Sequence, residues 1–144
     1  MKKSRPLPPG PVVFEAPLPP RAGAGGAPTP HYEFLHMPGM DWLTRHIEPA
    51  NTPLQVASVA HQLGKPRILS ESFAGCGWNV TFEELKWMLE WQMVRGVTTL
   101  CQHLQGYSLR GIRKRDWPPS LFIQQPWWPD YRALNDAVSR VGML

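Results

Sequence analysis

Residues 67–103 carry the pattern strand, glycine-bearing loop, helix, strand: RILSESFAGCGWNVTFEELKWMLEWQMVRGVTTLCQH. The segments 67–73 and 97–103 are short apolar or β-branched runs, which predict strands. A helix between them is predicted to open at Thr81, with a capping box formed by Thr81 and Glu84, and to end at Gly96. Trp87, Trp91 and Val94 are expected to extend its apolar face into a broad surface suited to packing on a sheet. Two strands joined by a crossover helix predict a parallel pair, and in such folds chemistry gathers at the carboxyl ends of the strands. We therefore expect Glu71 and His103, each at the end of a strand, to share that edge.

Two further βα units are predicted around this one. The run 32–36 is predicted as a short first strand that Pro38 and Gly39 halt, and a helix is predicted from Asn51 to Gly64. A third helix is predicted to begin near Asp130. About three βα units indicate an α/β fold, here a partial (β/α)8 TIM-type barrel over residues 31–144. A complete barrel takes roughly 250 residues, so we expect these 144 residues to be a fragment with the remainder of the barrel missing from the chain.

Residues 1–30 differ from the rest of the chain, since they are rich in Pro, Gly and Ala and have no hydrophobic period. Such a segment buries too little apolar surface to offset the entropy of ordering it, which predicts a disordered tail. Within it, residues 5–11 have the arginine-plus-PxxP form that SH3 domains bind as polyproline II. An interaction module that uses this tail is therefore one alternative function.

Composition excludes several classes of function. The net charge of +4 is a mild basic bias, and the basic cluster at 110–115 is short and has no accompanying motif. We therefore expect no nucleic-acid partner and interpret the cluster as a solvated or substrate-binding loop. No apolar run approaches the roughly 18 residues of a membrane span, and no export signal is expected in this chain, so we expect no membrane association and leave the localisation open. Cys76 and Cys101 lack metal-ligand and disulfide spacing, which predicts free thiols in or near a core.

Glu71 is the strongest candidate for a chemical role. A carboxyl group at a strand end, walled by Phe73 and Trp78, has its charged form disfavoured, which suits a general acid. The alternative is a structural carboxylate paired with Arg67 or Lys65, and position alone does not choose between the two.

Other candidates surround this edge in the predicted fold. His103, with Tyr107 nearby, suits hydrogen bonding to a polyhydroxylated substrate or a structural role. Asp41 makes a weaker case, because the turn at Pro38 and Gly39 could equally use it for a local hydrogen bond.

The aromatic residues of the loop, Trp117, Trp127 and Trp128, suit either a platform for sugar rings or packing of the loop, and the second is favoured slightly.

Several motifs in one collinear order resemble glycoside hydrolase family 106, the α-L-rhamnosidases, over roughly residue 31 to the end of the chain. The segments that carry the resemblance are His36–Asp41, Val56–Ala60, Leu69–Phe73 with Gly77 and Trp78, His103–Ser108, Arg113–Pro119 and Pro126–Trp128.

The resemblance implies a (β/α)8 catalytic domain that removes a terminal deoxy-sugar with inversion, with calcium near the site. It implies that Glu71 is the general acid or a site carboxylate and that His103 and Tyr107 line the substrate pocket. Inverting hydrolysis needs a second carboxylate roughly 6.5 to 9.5 Å from the first, and Asp41 is only a fallback for it.

The expected function is therefore that of a fragment of a glycoside hydrolase with a carbohydrate substrate, cleaving an α-L-rhamnoside-like sugar by acid/base hydrolysis. Trp78, Trp127 and Trp128 complete the expected substrate-binding set. No cofactor is certain, although the resemblance makes calcium a candidate. The alternative is a non-catalytic protein, either a pseudo-enzyme fragment or the interaction module described above.

Overall fold

The computed structural model describes residues 31–48 and 51–142 and contains three parallel β-strands and three α-helices in those ranges. The elements follow the order β1 (Gly39–Trp42), α1 (Asn51–Gln62), β2 (Leu69–Ser72), α2 (Phe82–Met93), β3 (Thr99–Gln102) and α3 (Tyr131–Val141). The strands form one sheet in the order β1-β2-β3, and both pairings are parallel. The predicted α/β class and the alternation of strands and helices are confirmed. The predicted tail at 1–30 lies outside the described residues.

The first strand lies further along the chain than predicted. Residues His31–Phe34 form a 3-10 helix, and the strand begins at Gly39, so the prediction of a strand at 32–36 was wrong. Pro38 and Gly39 therefore introduce the strand instead of halting it. Pairing with β2 explains why the strand lies at 39–42. In this register Met40 and Trp42 point to the same face of the sheet, where both are fully buried.

The helix boundaries follow local signals in the sequence. Helix α2 begins after Thr81, whose hydroxyl accepts from the amide of Glu84 while the Glu84 carboxylate accepts from the Thr81 amide, so the predicted capping box is confirmed. Helix α1 begins at Asn51 and the chain turns at Gly64, whose φ of +63° suits glycine.

One face of the sheet packs against all three helices. Met40 and Trp42 of β1 belong to the same core cluster as Val56 of α1. The β2 residues on that face bond to α2, and Gln102 of β3 bonds to Asn135 of α3. Because side chains alternate along a strand, the residues between them point to the other side. We call this side the open face; its residues are Gly39, Asp41, Leu69, Glu71, Thr99 and Cys101.

The outer surface of α2 is less buried than its aromatic content predicts. Trp91 packs against Trp42 with ring centroids 4.7 Å apart. Trp87 and Val94, expected to extend an apolar surface towards the sheet, are instead exposed. They lie on the side of the helix that turns away from the strands, so that part of the prediction was wrong.

A buried polar network holds β2 against α2. Gln92, which is fully buried, bonds through its side chain to the hydroxyls of Ser70 and Ser72 and donates to the carbonyl of Met88 at 3.2 Å. Buried polar groups are costly unless they are paired, so this network specifies one position of the strand on the helix. Ser70 and Ser72 flank Glu71, whose side chain is thereby directed to the open face.

Candidate functional site at the carboxyl edge of the sheet

Three side chains with chemical potential lie in one row across the open face. Backbone register pairs Asp41 of β1 with Glu71 of β2, and Glu71 with Cys101 of β3. Neighbouring strands lie about 4.8 Å apart, so the carboxyl groups of Asp41 and Glu71 stand side by side. The predicted convergence of Asp41 and Glu71 at one edge is confirmed, although Asp41 lies within its strand and not after it.

The environment of Asp41 in this row disfavours the ionised form of its carboxyl group. Burial, followed by the repulsion of the Glu71 charge, raises the pKa of Asp41 above its ordinary value of 3.8. Its Oδ1 atom is buried and accepts no hydrogen bond from the described part of the chain. A partly buried carboxyl group with a raised pKa, beside a second carboxyl group, is an arrangement often found at sites of proton transfer.

His103 lies at the same edge, beside Glu71. Its backbone amide donates to the carbonyl of Ser72 at 2.7 Å, which extends the pairing of β3 with β2 by one residue. Its Nε2 atom lies 3.9 Å from Oε1 of Glu71, and its Nδ1 atom is buried without a hydrogen-bond partner among residues 31–48 and 51–142. The predicted proximity of Glu71 and His103 is therefore confirmed.

The structural alternative for Glu71 does not occur. Lys65 donates instead to the backbone carbonyl of Glu33 at 3.0 Å, and Arg67 is exposed without an ion pair in the described ranges. Within those ranges the ion pair of Glu71 is with His103. Among the described residues Glu71 thus has no Lys or Arg partner, so its carboxyl group stays available at the open face.

Strained backbone surrounds this edge. Thr44, which follows β1, and Phe73, which follows β2, have φ values of 66° and 83°. Trp117 has a φ of 45°, and its ring lies so close to Gly75 that a Cβ there would meet it at 3.1 Å. Residues other than glycine seldom adopt positive φ, and such strain tends to cluster at functional sites.

The loop after β3 is anchored beside this edge and forms a cavity of about 310 Å³. The indole of Trp78 donates to the carbonyl of Lys114 at 2.8 Å, and the amide of Gly77 donates to the carbonyl of Pro118 at 3.0 Å. The lining includes the predicted residues Trp78, His103 and Tyr107.

Two lining residues, Arg113 and Ser120, were not selected from the sequence. The signals for Arg113 were the basic run in a long loop and its place in the resembling segment Arg113–Pro119, and Ser120 gave none.

The two tryptophans expected in a sugar platform lie on the side of the loop that faces α3. Trp127 packs against Phe82 and Tyr131 and donates from its indole to the carbonyl of Val80 at 3.1 Å. Trp128 stacks on Tyr131 and, together with His103, lines a second cavity of about 610 Å³. Trp127 therefore acts in packing, and its role as a sugar platform stays a prediction. Trp128 is the better placed of the two for a ligand.

Thiol and metal chemistry are not supported in the described part of the chain. Both cysteines are free, and burial raises the pKa of the Cys76 thiol to about 12. Burial and the charges of Glu71 and Asp41 raise the pKa of Cys101, although this residue is exposed. No group of three or more His, Cys, Asp or Glu side chains within the described ranges could hold a metal ion. The calcium implied by the resemblance stays a prediction.

Replacing Asp41 with asparagine is expected to stabilise the chain at neutral pH. A pKa above 3.8 in the folded state means that the folded protein binds more protons than the unfolded protein, so its free energy of unfolding falls as pH rises through that range. Asp41→Asn removes the charge and with it this pH-dependent loss, so the variant is expected to be more stable than the parent at neutral pH. Urea unfolding over a pH series measures the difference in stability.

The difference between the variant and the parent should vanish as pH falls below 3.8. Asp136→Asn serves as control, because Asp136 forms an exposed ion pair with Arg132 on α3 and its loss should change stability little. A gain for Asp41→Asn that is independent of pH would contradict the electrostatic explanation.

Comparisons with known proteins give no relative: no family model, curated protein or solved structure matches the chain. In the ranges that the structure describes, no helix has the length and apolar character needed to cross a bilayer. Fold and site together define a mixed α/β protein with a parallel sheet and a pair of carboxyl groups at its carboxyl edge.

Proposed function

We propose that this chain forms part of a (β/α)8 barrel and supplies the acid/base carboxyl groups of a glycoside hydrolase that cleaves a terminal, α-L-rhamnoside-like sugar. The observation that carries the proposal is the direct pairing of Asp41 and Glu71 across β1 and β2. The resemblance of the motifs to family 106 of the glycoside hydrolases is what suggests the sugar.

The winding of the sheet supports a barrel over the other common parallel fold. In doubly wound sheets the strand order reverses, and helices cover both faces. Here the strands follow chain order, and α1, α2 and α3 pack on one face. A barrel is built in this way, with the uncovered face forming its interior and the strand ends forming its active site.

The carboxyl pair supports acid/base chemistry. Burial, followed by the charge of the neighbouring Glu71, raises the pKa of Asp41, so a proton is held at this edge more readily than on an isolated aspartate. Glu71 has the longer side chain and is partly exposed, whereas Oδ1 of Asp41 is buried. Glu71 is therefore the member that reaches a glycosidic oxygen and donates the proton.

The same geometry argues against Asp41 as the second carboxylate of an inverting reaction. Side chains at directly opposed positions of neighbouring strands are about 5 Å apart, closer than the roughly 6.5 to 9.5 Å that an attacking water requires. The base of the proposed reaction is therefore not Asp41.

A sugar substrate is favoured by the groups around the pair. The edge offers the imidazole of His103 and the indole of Trp78, and the ring of Tyr107 is fully exposed at the mouth of the cavity. The imidazole can form hydrogen bonds with the hydroxyl groups of a pyranose, and the aromatic rings can pack against its apolar faces.

Turnover of aryl glycosides by the full chain tests the proposal. Release of 4-nitrophenol from its α-L-rhamnoside is expected, and a cooperative thermal melt establishes that the sample is folded. A folded chain that hydrolyses neither this compound nor the other aryl glycosides of common sugars would overturn the proposal.

A non-catalytic function is the second candidate, and one observation favours it. Thr99, Glu71 and Cys101 on the open face are partly or fully exposed to solvent, and acid catalysis is strongest where water is excluded. Binding of a sugar by the folded chain without turnover, unchanged in Glu71→Gln, would favour this candidate.

A further inference from the structure

The loop beside the 310 Å³ cavity carries an excess of positive charge, while the charged residues that line the cavity itself are Arg113 and Asp116. Between Leu104 and Ser120 the chain has four cations and one carboxylate, Asp116. The cations are Arg110, Arg113, Lys114 and Arg115, all exposed. Solvated cations on a surface are ordinary, so a binding role has to be argued from their placement and their lack of partners.

Arg113 is the cation that lines the cavity itself, together with His103, Trp78 and Asp116. Its side chain makes no ion pair and no hydrogen bond with any residue in the ranges 31–48 and 51–142. By contrast, Arg45 at the same edge is fully engaged, since it bonds to Glu84 at 3.0 Å and to Asn79. Arg113 therefore offers its guanidinium group to the cavity.

The backbone that carries Arg113 is held in place. Residues Gly111–Arg115 form a 3-10 helix, and its carbonyl at Lys114 accepts the indole proton of Trp78 at 2.8 Å. On the other side of the cavity the amide of Gly106 donates to the hydroxyl of Ser120 at 2.7 Å. Attachment at both sides fixes the backbone that carries Arg113, so the entropic cost of a contact is limited to ordering its side chain.

The cavity also adjoins the carboxyl pair, since His103 lines the cavity and lies 3.9 Å from Glu71. A planar guanidinium group with two parallel donors matches a carboxylate group. The exposed ring of Tyr107 and the indole of Trp78 supply faces for a sugar ring in the same cavity.

We infer that the cavity binds a sugar unit that carries a carboxylate, a uronate, next to the bond that is cleaved, and that Arg113 contacts this carboxylate. The inference rests on the proposed function and narrows its substrate class to acidic glycans. It assigns to Arg113 a specificity role that is separate from acid catalysis by Glu71.

Calorimetric titration of the full chain with a galacturonate tetrasaccharide and with its carboxyl-reduced, neutral counterpart tests the inference. The acidic sugar is expected to bind about tenfold more tightly at low salt, and this preference should shrink as the salt concentration rises. Arg113→Ala is expected to weaken binding of the acidic sugar about fivefold, as for a partly exposed charge pair, and to leave the neutral sugar unchanged.

Arg140→Ala is the matched control. Arg140 is an exposed cation without a described partner in the last turn of α3. Because the helices run antiparallel to the strands, it lies at the opposite end of the sheet from the cavity. The control should bind both sugars as the parent chain does, and equal thermal melts of the two variants establish that both are folded.

Three outcomes would overturn the inference. Equal affinity for the acidic and neutral sugars would contradict the preference for acidic glycans, but it would not contradict the proposed hydrolase function. A preference for the acidic sugar that survives Arg113→Ala would remove the assignment of Arg113. Tighter binding of single-stranded DNA than of either sugar would identify the basic loop 110–115 as a nucleic-acid-binding surface. Conversely, an Arg113-dependent preference in a chain without turnover would support the inference while the proposed hydrolysis fails.

Discussion

Replacing Glu71 with glutamine is expected to lower kcat/KM for aryl glycosides by about 100- to 10,000-fold, the usual contribution of a positioned acid or base. Glutamine keeps the shape and hydrogen-bonding capacity of the side chain, but it has no proton to transfer. The network of Ser70, Ser72 and Gln92 lies on the other face of the sheet and should hold the strand unchanged in the variant.

A series of leaving groups separates acid catalysis from a general loss of the site. Dinitrophenol leaves without protonation, whereas phenol needs a proton, so the loss in Glu71→Gln should be small for the first and large for the second. Glu83→Gln is the control, because Glu83 is an exposed carboxylate in the first turn of α2 without an ion pair in the described ranges. Full turnover of phenyl glycosides by Glu71→Gln would reject Glu71 as the acid, and a loss confined to Asp41→Asn would transfer the role to Asp41.

Replacing Gly96 with alanine is expected to destabilise the chain by about 3 to 4 kcal/mol, the sum of backbone strain and an overpacked contact. Gly96 lies between α2 and β3 with a φ of 101°, where an L side chain is strained. A Cβ there would also lie 2.9 Å from the Cβ of Ala57 on α1. Urea unfolding measures the change, and the melting temperature should fall by well over 10 °C at about 4 °C or more per kcal/mol.

Gly64→Ala provides a matched control with the same sign of φ. Gly64 has a φ of 63°, and nothing lies within 4 Å of the position a Cβ would occupy. Its replacement should cost only the strain, roughly 1 to 2 kcal/mol. Adding Ala57→Gly to Gly96→Ala should recover part of the larger loss, since it removes the other atom of the contact. Equal losses for the two single variants would mean that α1 does not approach the corner between α2 and β3.

Tertiary structure changed the roles of particular residues at the site. Asp41 was a weak candidate because the turn at Pro38 and Gly39 could equally use it for a local hydrogen bond, whereas it lies within β1 and opposite Glu71. The runs 32–36 and 39–42 both alternate apolar and polar residues, and only pairing with Leu69–Ser72 distinguishes them. The lining of the cavity by Arg113 depends on how the loop folds back on Trp78, and no local pattern predicts that contact.

The sequence by itself determined the elements whose signals are local. The capping box at Thr81, the helix start at Asn51 and the glycines at 64 and 96 act on residues within about one helical turn, and each of them is where it was predicted. The tertiary structure alone decided that Asp41 stands beside Glu71, that Arg45 and not Arg113 is paired, and that Lys65 reaches Glu33. The physical reason is that strand register and burial arise from contacts between segments distant in the chain, where a shift of one residue would turn every side chain to the other face.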